Sequence, residues 1–321
     1  MRAAVVTAFD QAPRAQEVPE PVPGDQEEVV DVLAVGLHPR VRSQASGSHY
    51  TSTGVLPLVP GVDGVGRRAD GSLVYFVLPV TTTHGSMVER VAIDPRGSVV
   101  LPDDAAPVRV AAAMNPALSS WVALRRRAVL GPGRGVMILG ATGTAGRLAI
   151  QVARALGAGT VTAVGRDPRT LALLPDLGAD VVVPLGGDPE AVALAVGQAA
   201  ADVDVVLDYL WGAPTQGLIG PVVAHRTDPA RRLDWVEIGS VAGPDLTLPS
   251  AALRAVDLRL LGSGQGSVPP DVMVAESGEL ARTIDARTFA LDVQTVPLDE
   301  VEQVWTAPAA AGTRVVVTPQ R

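Results

Sequence analysis

Residues 135–180 read GVMILGATGTAGRLAIQVARALGAGTVTAVGRDPRTLALLPDLGAD, and this stretch decides the fold. Val136 to Leu139 is an apolar run bounded by glycines, which predicts a buried strand. Gly140, Gly143 and Gly146 follow with the spacing G-x-x-G-x-x-G. Ala145, Leu148, Ala149, Val152, Ala153 and Leu156 then recur at helical spacing, and Gly157 stands where that helix should end. Thr160 to Val164 is a second β-rich run. A strand, a glycine turn, a helix and a strand form the context in which such glycines signify a dinucleotide cradle. Glycine keeps the turn tight and lets backbone N–H groups at a helix N-terminus approach a pyrophosphate. The segment Gly140, Ala141, Thr142, Gly143, Thr144, Ala145 and Gly146 is therefore the expected cofactor-binding loop.

The end of the second strand bears on which dinucleotide is bound. A unit that prefers NAD usually places Asp or Glu there, about 20 residues past the glycines, to hold the ribose 2′-hydroxyl. Here Gly165 takes that place and Arg166 follows. A guanidinium suits a 2′-phosphate, which it grips in bidentate fashion, and Arg169 offers a second contact. NADP(H) is the expected cofactor. An opposing reading rests on Asp167, since a one-residue shift of the strand end makes it the ribose ligand.

Composition excludes several chemistries. The chain has 321 residues, enough for two domains with cores of their own. It contains no cysteine, so disulfides, thiolate nucleophiles, iron–sulfur clusters and cysteine zinc sites are absent. It contains no lysine, so Schiff-base chemistry is absent and arginine carries every fixed side-chain cation. A net charge of −8 argues against a nucleic-acid partner. The opening MRAAVVTAFDQAP alternates like a strand and lacks the apolar core of a signal peptide. No run approaches the ~18 consecutive apolar residues of a membrane helix. A soluble, cytoplasmic protein with no membrane partner is expected.

The first 115 or so residues carry short β-type runs punctuated by Pro and Gly: Arg2 to Thr7, Glu28 to Val35, Leu73 to Val77 and Met87 to Ile93. They predict a barrel-like β-domain. Ala105 to Arg127 reads as an Ala-rich helix leading into the nucleotide-binding half. Beyond it, strands are expected at Val181 to Val183, Val203 to Leu210, Asp234 to Ser240 and Leu258 to Ser263, with a helix at Glu190 to Ala200. Alternating strands and helices imply a doubly wound parallel sheet with right-handed crossovers. A helix from Pro270 to Arg287 precedes a last strand, Gly312 to Val317, expected to return to the N-terminal domain.

The whole chain resembles the medium-chain dehydrogenase/reductase superfamily, in its zinc-free quinone oxidoreductase branch. AVGLHPRVRSQASGSHY resembles the family's N-terminal active-site strand and loop, and LPLVPGVDGVG the turn that reads PGHEGxG in zinc alcohol dehydrogenases. AAAMNPALSSWVALRRRA resembles the interdomain helix, GATGTAG the zinc-free nucleotide loop, LGAD the end of the following helix and GTRVVV the closing strand. The resemblance implies a GroES-like β-barrel catalytic domain (1–116, with a return at 264–321), a Rossmann domain (117–263) and an active site between them. At the three positions where the zinc enzymes use Cys, His and Cys, this chain carries His38, Val62 and Asn115. Valine binds no metal, and one His with one Asn falls short of the three protein ligands of a catalytic zinc. The implied chemistry is hydride delivery to an already electrophilic small-molecule acceptor, a quinone, enone or alkenal. An enoyl-thioester reductase and a non-catalytic NADPH-binding redox sensor are the rival readings.

Candidate acceptor-side residues follow. Tyr50 and His49 lie in GSHYTSTG, which resembles a substrate loop with a tyrosine beside the nicotinamide, and either can supply the final proton. His38 lines the cleft or orients substrate. Asn115 either holds a substrate or nicotinamide oxygen or is the N-cap ahead of Pro116 at a first helical position. Ser119 resembles the threonine that touches the nicotinamide side, while Trp121 is expected in the core. Arg125, Arg126 and Arg127 read as cations at a helix C-terminus. Asp208 sits at the carboxyl edge of the sheet, where ligands collect. The resemblance implies that Asp208, Ile238, Gly239, Ser240 and Gly262 border the cofactor, and that the edge at Leu261 to Ser263 pairs two subunits in a homodimer.

Overall fold

The computed structural model describes residues 1–284, 289–307 and 312–319. It has two compact units, one formed by Pro116–Pro269 and the other by Met1–Asn115 with Pro270–Arg321.

The Pro116–Pro269 unit is built on six parallel strands: Gly135–Leu139, Thr160–Gly165, Val181–Pro184, Val205–Asp208, Leu233–Glu237 and Leu258–Gly262. Their spatial order is third, second, first, fourth, fifth, sixth. This is the doubly wound arrangement, in which the strand order, not the strand direction, reverses between the first and fourth strands. Every residue of Gly135–Leu139 is buried, as expected of a central parallel strand covered on both faces. Leu139 is in register with both Val164 and Asp208. The turns beginning at Gly140, Arg166 and Tyr209 therefore emerge along one edge of the sheet. Met137, Leu139, Val164, Val206, Leu218 and Trp235 belong to the core beneath that edge.

The other unit contains a seven-stranded mixed sheet and a two-stranded ribbon, Arg2–Val5 with Arg14–Glu17. Glu28–Leu37 is the hub, pairing antiparallel with Thr313–Thr318, Asp63–Arg67 and Arg90–Ile93. Leu73–Val77 extends the sheet from Asp63–Arg67, and Asp292–Pro297 runs parallel to Thr313–Thr318. Val30, Val32, Val35, Phe76, Met87, Val315 and Val317 pack its core.

Four local expectations need correction. Asn115 is not an N-cap: one helix, Pro107–Val122, runs through it with Pro116 inside. A proline there forfeits one helical hydrogen bond, but Ala112, Met114, Ala117 and Trp121 are buried around it, and tertiary packing overrides the local break. The strand foreseen at Val203 to Leu210 is only Val205–Asp208, because the Asp208 carboxylate accepts from the Leu210 and Trp211 amides and curls the chain away. The helix foreseen at Pro270 to Arg287 is Pro270–Thr283, and residues 285–287 lie outside the described residues. The arginine run does more than face a helix end: Arg125 lies 5.1 Å over the Trp121 ring, and Arg127 donates to the Gly262 and Ser267 carbonyls.

Candidate functional site

In the six-stranded unit the glycine turn is shaped by close approach. Gly140 has φ +86°, a conformation open to glycine. A Cβ on Gly146 would lie 2.4 Å from the Gly140 oxygen, so only glycine lets the helix Thr144–Ala155 start this near the first strand. Gly143 differs. Its backbone is extended, and a Cβ there would meet only the Gly140 oxygen, at 3.5 Å. It is the N-cap of the helix with no side-chain cap, so no side chain of its own satisfies the first-turn amides. An anion the size of a pyrophosphate fits such a cradle.

Gly165 explains the missing acid. A Cβ there would lie 2.5 Å from Thr142 Cγ2, so an acid at the end of the second strand requires the Thr142 side chain to move. Asp167 is occupied otherwise. As N-cap of Pro168–Leu171, its Oδ2 accepts from the Thr170 amide at 2.8 Å and from the Thr170 hydroxyl. These bonds hold its carboxyl below the usual range. Arg166 and Arg169 are exposed, and neither forms an ion pair among the described residues.

Across the strand reversal, Asp208 is fully buried. Its Oδ1 accepts from the Leu210 and Trp211 amides at 2.8 and 3.0 Å, and its Oδ2 from the Thr215 hydroxyl and the Trp235 indole at 2.7 and 2.9 Å. Its carbonyl takes the Ile238 and Gly239 amides, which ties the turn after the fifth strand to the one after the fourth. Ser240 and Gly262 are exposed, and the Gly262 carbonyl accepts from Arg127 at 2.8 Å. Ser119 donates to the Pro116 carbonyl at 2.7 Å and lies 3.0 Å from the Tyr209 hydroxyl. Burial pushes the Tyr209 phenol up to about 12.

In the other unit, His38 ends the hub strand and begins Pro39–Ala45 without capping that helix through its ring. Its Nε2 lies 3.2 Å from Asp63 Oδ1, and the Tyr75 hydroxyl donates to Asp63 Oδ2 at 2.7 Å. All three side chains are buried. Burial lowers the His38 pKa despite Asp63. Burial alone would raise Asp63, but His38 and Tyr75 outweigh it and hold the carboxyl low. These directions favour a neutral imidazole whose Nε2–H donates to the Asp63 carboxylate. Asp63 and Tyr75 were missed from sequence; the signals were the acid in PGVDG and a tyrosine in the apolar strand LVYFV.

His49 and Tyr50 stack with ring centroids 4.5 Å apart at 30°. Tyr50 is 79% exposed. His49 Nδ1 lies 2.7 Å from the Thr51 hydroxyl and accepts from the Thr51 amide at 3.2 Å. Burial and then the Arg40 charge lower the His49 pKa. Val62 is buried and offers no donor atom. Among the described residues no group of three His, Cys, Asp or Glu is arranged to hold a metal ion.

No family model matches the chain. It is 31% identical to the "Probable NADPH-dependent quinone reductase tdiC" of Emericella nidulans, over 99% of this chain and 100% of that protein. The quinone oxidoreductase of Thermus thermophilus, a structure determined alone and with NADPH, is 27% identical with a TM-score of 0.80, covering 99% of this chain and all of that one. An alcohol dehydrogenase superfamily protein of Novosphingobium aromaticivorans shares the fold at 22% identity and a TM-score of 0.82, covering 100% of both chains. The chain belongs to the quinone oxidoreductase branch of the medium-chain dehydrogenase/reductase superfamily.

Proposed function

We propose that this protein is an NADPH-dependent, zinc-free reductase that transfers hydride to a quinone, with enones and alkenals as a second acceptor class. The observation that carries the reading is the helix start at glycine N-cap Gly143, without a side-chain cap, in the same unit as exposed Arg166, in a chain with a relative named for NADPH and quinone. Bound NADPH supplies the hydride. The first-turn amides after Gly143 hold the pyrophosphate, and Arg166, with Arg169, grips the 2′-phosphate. Asp208 acts indirectly, by holding the turns that border the cofactor. With no donor at Val62, nothing polarises an alcohol as a zinc ion would, which favours acceptors that are electrophilic already. Tyr50, exposed and stacked on His49, donates the proton that completes reduction; the lowered pKa of His49 leaves little imidazolium for that task. His38 keeps its neutral ring fixed by Asp63 and orients the acceptor.

The exposed edge of Leu258–Gly262, paired on one side with Leu233–Glu237, supports a homodimer formed along that edge. No helix among the described residues is long and apolar enough to cross a membrane, and a cytoplasmic site of action fits the reading. The test is NADPH oxidation with a panel of quinones, enones, alkenals and enoyl thioesters. Stoichiometric oxidation by quinones is expected. Turnover with thioesters alone, or NADPH binding without oxidation by any acceptor, overturns the reading.

A further inference from the structure

We propose that the Tyr209 hydroxyl accepts a hydrogen bond from the nicotinamide nucleoside of the bound cofactor. The inference rests on the NADPH reading above and extends it to a residue on the far side of the strand reversal. A doubly wound sheet carries a dinucleotide across that reversal, one mononucleotide over each half. Arg166, at the end of the second strand, lies on the 2′-phosphate side, and the Gly140–Gly146 turn lies at the crossing. The first residue after the fourth strand, on the opposite half, is Tyr209. A Cβ on Gly140 would meet Tyr209 Cβ at 3.3 Å, so the two turns are in contact.

The turn that presents Tyr209 is over-determined. Four donors converge on the buried Asp208 carboxylate, and Trp211 is held at φ +53°, ψ −161°. A tryptophan persists in such a conformation only where its surroundings force it, and such residues cluster at ligand sites. The direction of the hydroxyl bond follows from proton counting. A carbonyl only accepts, so the Ser119 proton points to the Pro116 oxygen at 2.7 Å. The Ser120 hydroxyl, which also bonds Tyr209, likewise donates to a carbonyl, that of Ala117 at 3.0 Å, so the phenol proton goes to one of the two serines, of which Ser119 lies 3.0 Å away. The Tyr209 oxygen is left with lone pairs and no further proton. It seeks an N–H or O–H donor, and the nicotinamide nucleoside offers the carboxamide N–H and the ribose hydroxyls.

The experiment compares two ligands. 2′,5′-ADP carries the adenosine and the 2′-phosphate but no nicotinamide nucleoside. Tyr209→Phe is expected to weaken NADPH by about 2- to 12-fold, the range of one neutral hydrogen bond, and to leave 2′,5′-ADP unchanged in calorimetric titrations. The 3-acetylpyridine analogue of the cofactor, which lacks the amide donor, separates the two sources. A loss in the wild type that Tyr209→Phe does not deepen assigns the carboxamide; an undiminished affinity assigns the ribose. Because the chain has only 3 tyrosines, ring-labelled tyrosine resolves the Tyr209 signal in the wild type by NMR. That signal should shift with NADPH and stay still with 2′,5′-ADP, a readout independent of how well the variant folds. Equal NADPH affinity in Tyr209→Phe, equal losses for both ligands, or a still signal overturns the proposal. A wild type that binds neither ligand overturns the NADPH reading instead.

Discussion

Removing Arg166 isolates the proposed 2′-phosphate contact, because the side chain has no other described duty. It is exposed and forms no ion pair among the described residues, so Arg166→Ala should shift the stability of the free protein by no more than about 0.5 kcal/mol. Its effect then falls on the ligand. Charge-assisted hydrogen bonds contribute roughly 1.5–3 kcal/mol, or about 10- to 150-fold in affinity at ~1.4 kcal/mol per decade. Solvent competes at an exposed site, which places the expectation toward the lower half of that range. NADPH affinity should fall accordingly while NADH, which has no 2′-phosphate, stays nearly untouched. Arg169→Ala should produce a smaller loss of the same kind. Asp167→Ala is the control: its carboxylate caps Pro168–Leu171, so a small loss of stability is expected without a selective effect on NADH. Fluorescence titration of both cofactors against wild type and variants decides the matter. A wild type that prefers NADH, or an Arg166→Ala variant that weakens both cofactors alike, refutes the reasoning.

Asp208→Ala strands four donors around a buried site; with each unsatisfied group costing about 1–3 kcal/mol, a loss above roughly 3 kcal/mol is expected in urea unfolding, and a loss under 1 kcal/mol contradicts it. Tyr50→Phe should lower turnover by up to the ~10²–10⁴-fold typical of general acid catalysis, less where water substitutes, with NADPH affinity unchanged; an unaltered rate with every acceptor removes Tyr50 from the mechanism. Acidification should act on stability in two steps. The folded-state pKa of His38 lies below its ordinary 6.5, so the unfolded chain takes that proton first and stability falls as pH drops through about 6.5, levelling once the folded His38 titrates. Asp63, held below 3.8, loses its contribution only at more acid pH. His38→Gln should flatten the first step in urea midpoints, and an equal decline in the variant rules out this origin. Elemental analysis should find no stoichiometric zinc and a chelator should leave turnover unchanged, whereas one zinc per chain lost together with activity reverses the assignment.

What could be read from the chain alone was whatever neighbouring residues decide among themselves. The spacing of Gly140, Gly143 and Gly146 and the 3.6-residue period after them are local properties, and they sufficed for the strand–turn–helix unit and for the doubly wound class. Contacts between distant residues decided the rest. Gly165 reads as the absence of an acid, and only the fold shows that the Thr142 methyl lies where its Cβ would go. The sequence favours Arg166 and leaves Asp167 as the opposing reading; only the fold shows that Asp167 is taken up by the Thr170 cap. Asn115 before Pro116 reads as a helix start, and only the burial of Met114, Ala117 and Trp121 around it makes it a helix interior. His38, Asp63 and Tyr75 come from separate strand ends and positions, so no periodicity links them, and their network exists only because the antiparallel pairing of Glu28–Leu37, Asp63–Arg67 and Leu73–Val77 brings them together. Hydrogen-bond partners of buried polar groups are set by where the sheet delivers them, which is information the order of residues holds only through the fold.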